Sequence, residues 1–151
     1  MMLLTDRNRT ARLFLTGVLL LGLSVQPVAA EESYISESQK IFDVIDRWAE
    51  AWINLDAYTY TSYYSKDYRP DSNTSHRAWV AGRKDRFARQ KWIKLGITGL
   101  VISKEANGNY KASFRQRYKS DSFRDLVKKE IVFIKEDSQW RIQSENTVAL
   151  H

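Results

Sequence analysis

Tyr110-Lys111-Ala112-Ser113-Phe114-Arg115-Gln116-Arg117-Tyr118-Lys119 carries the clearest structural signal in the chain. Tyr110, Ala112, Phe114, Gln116 and Tyr118 share one face, and Lys111, Ser113, Arg115, Arg117 and Lys119 share the other. That period of two belongs to a strand with one side on a core. Asn107-Gly108 stands just before it. This pair signals a two-residue hairpin turn, which needs positive φ at both central positions. Upstream, Ile93, Leu95 and Ile97 alternate with Lys94, Gly96 and Thr98, a second strand. Downstream, Ser120-Asp121-Ser122 reads as a turn or bulge, residues 123–135 as a long strand, and Glu136-Asp137-Ser138-Gln139 as a third turn. Trp140-Arg141-Ile142-Gln143 opens a last strand. The second half is therefore an antiparallel meander.

Before residue 92 the period is helical. Ile41, Ile45, Trp48 and Trp52 form an apolar stripe that Phe42, Ala49 and Ile53 widen, while Asp43, Asp46, Arg47 and Glu50 face away. Ser36 and Gln39 have capping-box spacing, so a helix is expected from Ser36 to about Asn54, after a polar, mobile lead-in over residues 31–35. Leu55-Asp56-Ala57 breaks it, and Asp56 is the expected N-cap of a short helix to about Tyr64, rich in tyrosine. Residues 65–74 are turn formers, with Pro70 among them. A basic third helix is expected over residues 75–90, with Trp79, Val80 and Phe87 turned inward. Helices followed by a meander define an α+β fold, with the helices on one face of the sheet.

The chain has 151 residues and no cysteine. A disulfide scaffold, thiol catalysis and a cysteine-ligated metal are thereby excluded. At 43% hydrophobic and 13% aromatic residues it can bury a core, which excludes wholesale disorder. Residues 1–30 read as an export signal. Arg7, Arg9 and Arg12 form a positive start, residues 13–23 (LFLTGVLLLGL) an apolar centre, and Val28-Ala29-Ala30 a small-residue cleavage site. The rival, a membrane anchor, would need a longer apolar run. Cleavage would leave 121 residues carrying 21 Lys and Arg against 17 Asp and Glu, a net +4, as one domain without a stable membrane span. The expected location is the periplasm or the exterior.

The first helix with its tandem-Trp stripe, Asn54-Leu55-Asp56-Ala57-Tyr58 with Tyr63-Tyr64-Ser65, and the terminal Trp140-Arg141-Ile142 together resemble the nuclear transport factor 2-like superfamily, which includes the SnoaL-like proteins. The resemblance covers residues 36–148. A closer one is to the small C-terminal domain of some bacterial L,D-transpeptidase-like cell-wall proteins. It rests on Phe114-Arg115-Gln116-Arg117-Tyr118-Lys119-Ser120-Asp121, Lys128-Lys129-Glu130 and Trp140-Arg141-Ile142. The superfamily implies a cone, with a curved sheet wrapped against helices and a pocket at the wide end. Members include ketosteroid isomerase and scytalone dehydratase beside proteins that only bind or dimerise, so the fold alone leaves function open. The transpeptidase reaction itself is excluded, because no cysteine nucleophile is present.

Gln116 and Tyr118 either project into such a pocket, as an amide and a phenol in an apolar site, or are core polar groups satisfied by neighbours. Trp52 and Arg86 complete the pocket candidates. Asp56 is a pocket base or, more simply, a cap; Asp121 a mouth carboxylate paired with Lys128 or Arg86, or a turn residue. His76 has no carboxylate placed beside it by spacing, and His151 is terminal. No catalytic set, metal-ligand spacing or cofactor loop is visible, so no catalytic residue, metal or cofactor is expected. Residues 77–94 hold Arg77, Arg83, Lys84, Arg86, Arg89, Lys91 and Lys94 against Asp85 alone. Their aromatics fall at core spacing and the protein is read as exported, so nucleic acid is not expected as partner. A solvated helix face is the simple account of this run, and an anionic envelope polymer the better electrostatic partner. The reading favours an exported non-catalytic binding or protein-interaction module of the bacterial envelope, linked to peptidoglycan processing. Its partners would be an envelope protein or anionic polymer and a second copy in a homodimer. The alternative is a SnoaL-like isomerase, dehydratase or hydrolase acting on an apolar small molecule.

Overall fold

The first helix, α1, spans Val28–Ile53 in the computed structural model, which describes residues 28–150. It starts well before Ser36. Ala29, Ala30, Glu31 and Glu32 are good helix formers, and no Gly or Pro interrupts the path to Ser36, so no cap is needed there. The capping box is absent: Gln39 Nε2 instead donates to Asp43 Oδ1 one turn on, at 2.9 Å. Within the stretch expected to be mobile, which is helical, Tyr34 OH donates to Ile102 O at 3.1 Å and its ring stacks on Tyr110. The positive start and apolar centre of the export signal lie outside the described residues, as does His151.

Ile41, Ile45, Trp48 and Trp52 are buried, with Ile41 and Trp48 at 0% exposure, but Phe42 and Ile53 are exposed. The stripe is therefore narrower than the sequence suggests. The helix ends in a Schellman motif. Leu55 sits in the left-handed region at φ 57°, Leu55 N–H donates to Trp52 O and Asp56 N–H to Ala51 O. Asp56 then caps α2 (Ala57–Ser62), accepting Thr59 N–H at 2.9 Å. Ser75 caps α3 (His76–Ala88), which buries Trp79 and Phe87.

Four strands follow: β1 (Ile93–Lys104), β2 (Tyr110–Ser120), β3 (Arg124–Glu136) and β4 (Gln139–Ala149). They pair antiparallel in the order β1-β2-β3-β4. The inner face is the alternating set of β2, with Tyr110, Ala112, Phe114, Gln116 and Tyr118 all buried against the helices. The first hairpin differs from expectation. Gly108 has φ 89°, but Asn107 is not in the left-handed region, and Gly108 N–H closes a wider loop onto Glu105 O. The tight turn with two positive-φ residues is Asp137-Ser138, at φ 49° and 66°.

Two features aim β4 at the helices. The chain after α2 pairs with it as a short parallel bridge, Ser65 N–H to Ile142 O and Ile142 N–H to Tyr63 O, both 2.8 Å. A bulge also shifts the β3–β4 register between Val132 and Phe133: Phe133 faces Ile142 but Val132 faces Ser144. Gln143 is the extra residue, so alternation flips along β4. Trp140 and Ile142 point inward before the bulge; after it, Glu145 and Thr147 reach the inner cavity.

Candidate functional site

A cavity of about 540 Å³ opens between the end of α1, the C-terminal half of α3 and the inner face of the sheet. Trp52, Phe87 and Tyr118 supply aromatic wall, Gln116 an amide, and Arg83, Arg86 and Arg89 a cationic rim. The structure thus brings Trp52, Arg86, Gln116 and Tyr118 to one cavity. The basic stretch of α3 divides. Arg83, Arg86 and Arg89, at intervals of three, turn to the cavity, whereas Arg77 and Lys84 lie exposed outside its wall.

Sequence reasoning missed the floor. Lys129 Nζ bonds Glu145 Oε2 at 2.7 Å, with the two side chains only 6% and 9% exposed. Tyr64 OH donates to Glu145 Oε1, and Trp48 Nε1 donates to Tyr64 OH at 3.1 Å. The single Tyr64 proton is committed to the carboxylate. The 2.7 Å contact between Tyr60 OH and Tyr64 OH must then be donated by Tyr60. The Lys129 ammonium lies 5.3 Å from the ring centroids of both Trp48 and Trp52, within cation–π range. Arg83 packs over Tyr60 at 5.7 Å and Trp79 at 5.9 Å.

The electrostatics follow from burial and pairing. Burial alone would raise the Glu145 carboxyl, but the Lys129 charge and hydrogen bond, Tyr64 and Arg83 together hold it below its ordinary value. Burial, then the Glu145 charge, pushes the Tyr64 phenol well up. Burial likewise pushes up the Tyr60 phenol. Burial would lower the Arg83 guanidinium, yet Tyr60, Tyr64 and Glu145 raise it. Glu145 is therefore an ionised carboxylate with both oxygens occupied. The bonds to Lys129 and Tyr64 tie this carboxylate into the cavity floor.

Other groups at the cavity are less satisfied. Gln116 is 3% exposed, and its Oε1 has no hydrogen-bond partner among the described residues; nor do Gln90 Oε1 and Asp125 Oδ1, both from lining residues. The remaining candidates sit elsewhere. Asp56 is the cap of α2, and Asp121 is a turn residue accepting Lys91 N–H at 3.3 Å. His76 Nδ1 lies 3.1 Å from Tyr68 O and its ring lies against Trp79. Among the described residues no three His, Asp or Glu gather as a metal site, and no helix is long and apolar enough to cross a membrane.

Three helices on a four-stranded meander, with a cavity between them, define a nuclear transport factor 2-like domain. Residues 40–146 match the family described as the Cds6 C-terminal NTF2-like domain, and the chain belongs to it. Among curated proteins none matches in sequence. Bd1075 of Bdellovibrio bacteriovorus has a similar fold, with a TM-score of 0.70 at 21% identity over 80% of this chain and 43% of its own. The helical cell shape determining protein Pgp2 of Campylobacter jejuni is similar at a TM-score of 0.59 and 21% identity, over 68% of this chain and 38% of its own. This chain therefore spans about two-fifths of the length of those two proteins. An NTF2-like protein of unknown function from Pseudomonas putida covers more of its own length, 88%, with 77% of this chain, a TM-score of 0.64 and 15% identity.

Proposed function

We propose that this chain is a non-catalytic binding module that takes a small ligand with an apolar or ring-shaped body and an anionic head into the cone cavity. The observation that carries this reading is the balance of charge there. Arg83, Arg86, Arg89 and Lys129 meet two carboxylates, Asp125 and Glu145, and Glu145 is already spent on Lys129. Net positive charge beside apolar walls, with a buried amide lacking a partner, suits a ligand that brings an anion and a hydrogen-bond donor. We further propose that the module is exported by residues 1–30 and works at the bacterial envelope beside peptidoglycan-processing proteins. The fold shared with a cell shape determining protein supports that setting.

A thermal-shift screen tests the reading, with muropeptides, anionic polymers and small apolar ketones as probes. A muropeptide at about 100 times its dissociation constant should add about 2.7 kcal/mol, and Gln116→Ala and Tyr118→Phe should abolish the gain. A second reading, a SnoaL-like isomerase, dehydratase or hydrolase, has one observation in its favour. Asp125 stands directly opposite Tyr118 in the β2–β3 register, and both line the cavity. A shift confined to apolar ketones, with turnover lost in Asp125→Asn, would favour that reading.

A further inference from the structure

The outer face of the sheet, turned away from the helices, carries a track of cations. Arg115, Arg117 and Lys119 alternate along β2 with the buried inner set, so successive charges stand about 6.8 Å apart. The register adds Lys128 opposite Arg115, and Lys94 and Arg124 on either side of Lys119. Like charges placed directly opposite destabilise a strand pair. Little on this face offsets them. Glu130 pairs with Lys128 at 3.1 Å, whereas Lys94, Arg115, Arg117, Lys119 and Arg124 make no ion pair among the described residues. Lys94 and Lys119 approach the half-exposed ring of Trp92 instead, at 5.9 and 6.0 Å.

The face is also hollowed. Gly96 lies opposite Arg117 and offers no side chain, leaving a depression of about 250 Å³ bounded by Gly96, Thr98, Arg115, Arg117 and Leu126. A neighbouring hollow shares Arg115 and adds Gly99 and Lys128. A third shares Arg117 and Leu126 and adds Lys119 and Arg124, with Tyr118 and the carboxylate of Asp125 at its edge. The hollows run in series, each flanked by cations.

We infer that this outer face is a docking track for a linear acidic polysaccharide. Its carboxylates sit in the hollows between cationic side chains, where the planar forks of Arg115, Arg117 and Arg124 match them, and a sugar ring lies on Trp92. A linear polyanion supplies repeated negative charge along the row. A second copy of this chain, laid face to face, would set cations against cations. The inference stands on a different surface from the cavity and does not depend on its occupant.

Binding of the protein to polygalacturonate at about 50 mM salt tests it, with uncharged dextran of equal length, phosphatidylglycerol vesicles and sedimentation of the protein alone as parallel arms. Arg115→Ser with Arg117→Ser relieves like-charge contacts and should leave the fold intact by circular dichroism. Polygalacturonate should bind and dextran should not. Binding should weaken about tenfold in the double variant and about tenfold again at 250 mM salt, because the contacts are exposed and screened. Arg77→Ser, on exposed helix surface, should bind as the parent does. Failure to bind polygalacturonate, equal binding by the double variant, capture by vesicles alone, or a dimer that the double variant dissociates would each overturn the inference.

Discussion

Lys129→Met is the sharpest perturbation of the cavity floor. It leaves the volume nearly unchanged and strips the partner from a carboxylate that is 9% exposed. Breaking a buried ion pair from one side typically costs about 3–5 kcal/mol, since a poorly hydrated charge is left without its partner. Tyr64 and Arg83 still face Glu145, which sets the expected loss at the lower end, about 3 kcal/mol. For a domain of this size that lowers the melting temperature by roughly 10 °C. The assay is urea unfolding followed by tryptophan fluorescence at pH 7.5 and pH 5. In the parent, the lowered Glu145 pKa contributes stability that is complete above the ordinary carboxylate range and is lost as pH falls through the folded value. In the variant the sign reverses. Burial without the lysine raises the carboxyl, so the deficit is largest at pH 7.5 and shrinks toward pH 5 as Glu145 takes a proton. Lys129→Met combined with Glu145→Gln should recover about half or more of that loss, because the unpaired carboxylate charge is gone while the amide oxygen still accepts from Tyr64 OH. A single variant as stable as the parent at pH 7.5, or a double variant as unstable as the single, would refute the reasoning.

Glu37 is held down to about pKa 2 by its hydrogen bonds to Lys40, then Trp140 and Lys135. Glu37→Gln should cost about 1 kcal/mol at neutral pH, discounted for solvent screening, and the difference should vanish as pH falls from 4.5 toward 2 in acid titration of stability. Ser138 sits at φ 66°, so Ser138→Gly should raise urea stability by a few tenths to about 1 kcal/mol, provided the turn keeps both positive-φ residues. Gln116→Leu removes a buried amide oxygen without a partner and should leave stability equal or higher by about 1 kcal/mol while abolishing ligand-induced thermal shifts; a loss beyond about 2 kcal/mol would mean the oxygen is satisfied after all.

Most of the fold was legible because two periods dominate the chain. The β2 alternation placed its buried residues correctly from Tyr110 to Tyr118, and Asp56 and Ser75 mark the starts of α2 and α3. The misreadings have local causes. Ser36 looks like a cap, yet nothing upstream breaks the helix. Asn107-Gly108 looks like a two-residue turn, yet the loop closes from Glu105 and only the glycine needs positive φ. The cavity walls were partly legible, since Gln116 and Tyr118 lie on an otherwise apolar face. The floor was hidden in two ways. Lys129 falls on the inward set of β3 with Val127 and Ile131, but a lysine normally reads as exposed. Glu145 is out of phase with Trp140 and Ile142, and only the bulge at Gln143 turns it inward. That bulge depends on pairing across the sheet, which local sequence does not encode.

The most direct measurement of the central claim is a two-dimensional nitrogen–proton NMR titration with an acidic muropeptide, following the Trp52 indole and the Gln116 side-chain amide. The account predicts saturable shifts at both groups and at Arg83, with the ligand recovered unchanged. Shifts confined to residues outside the cavity, or conversion of the ligand during the titration, would contradict it.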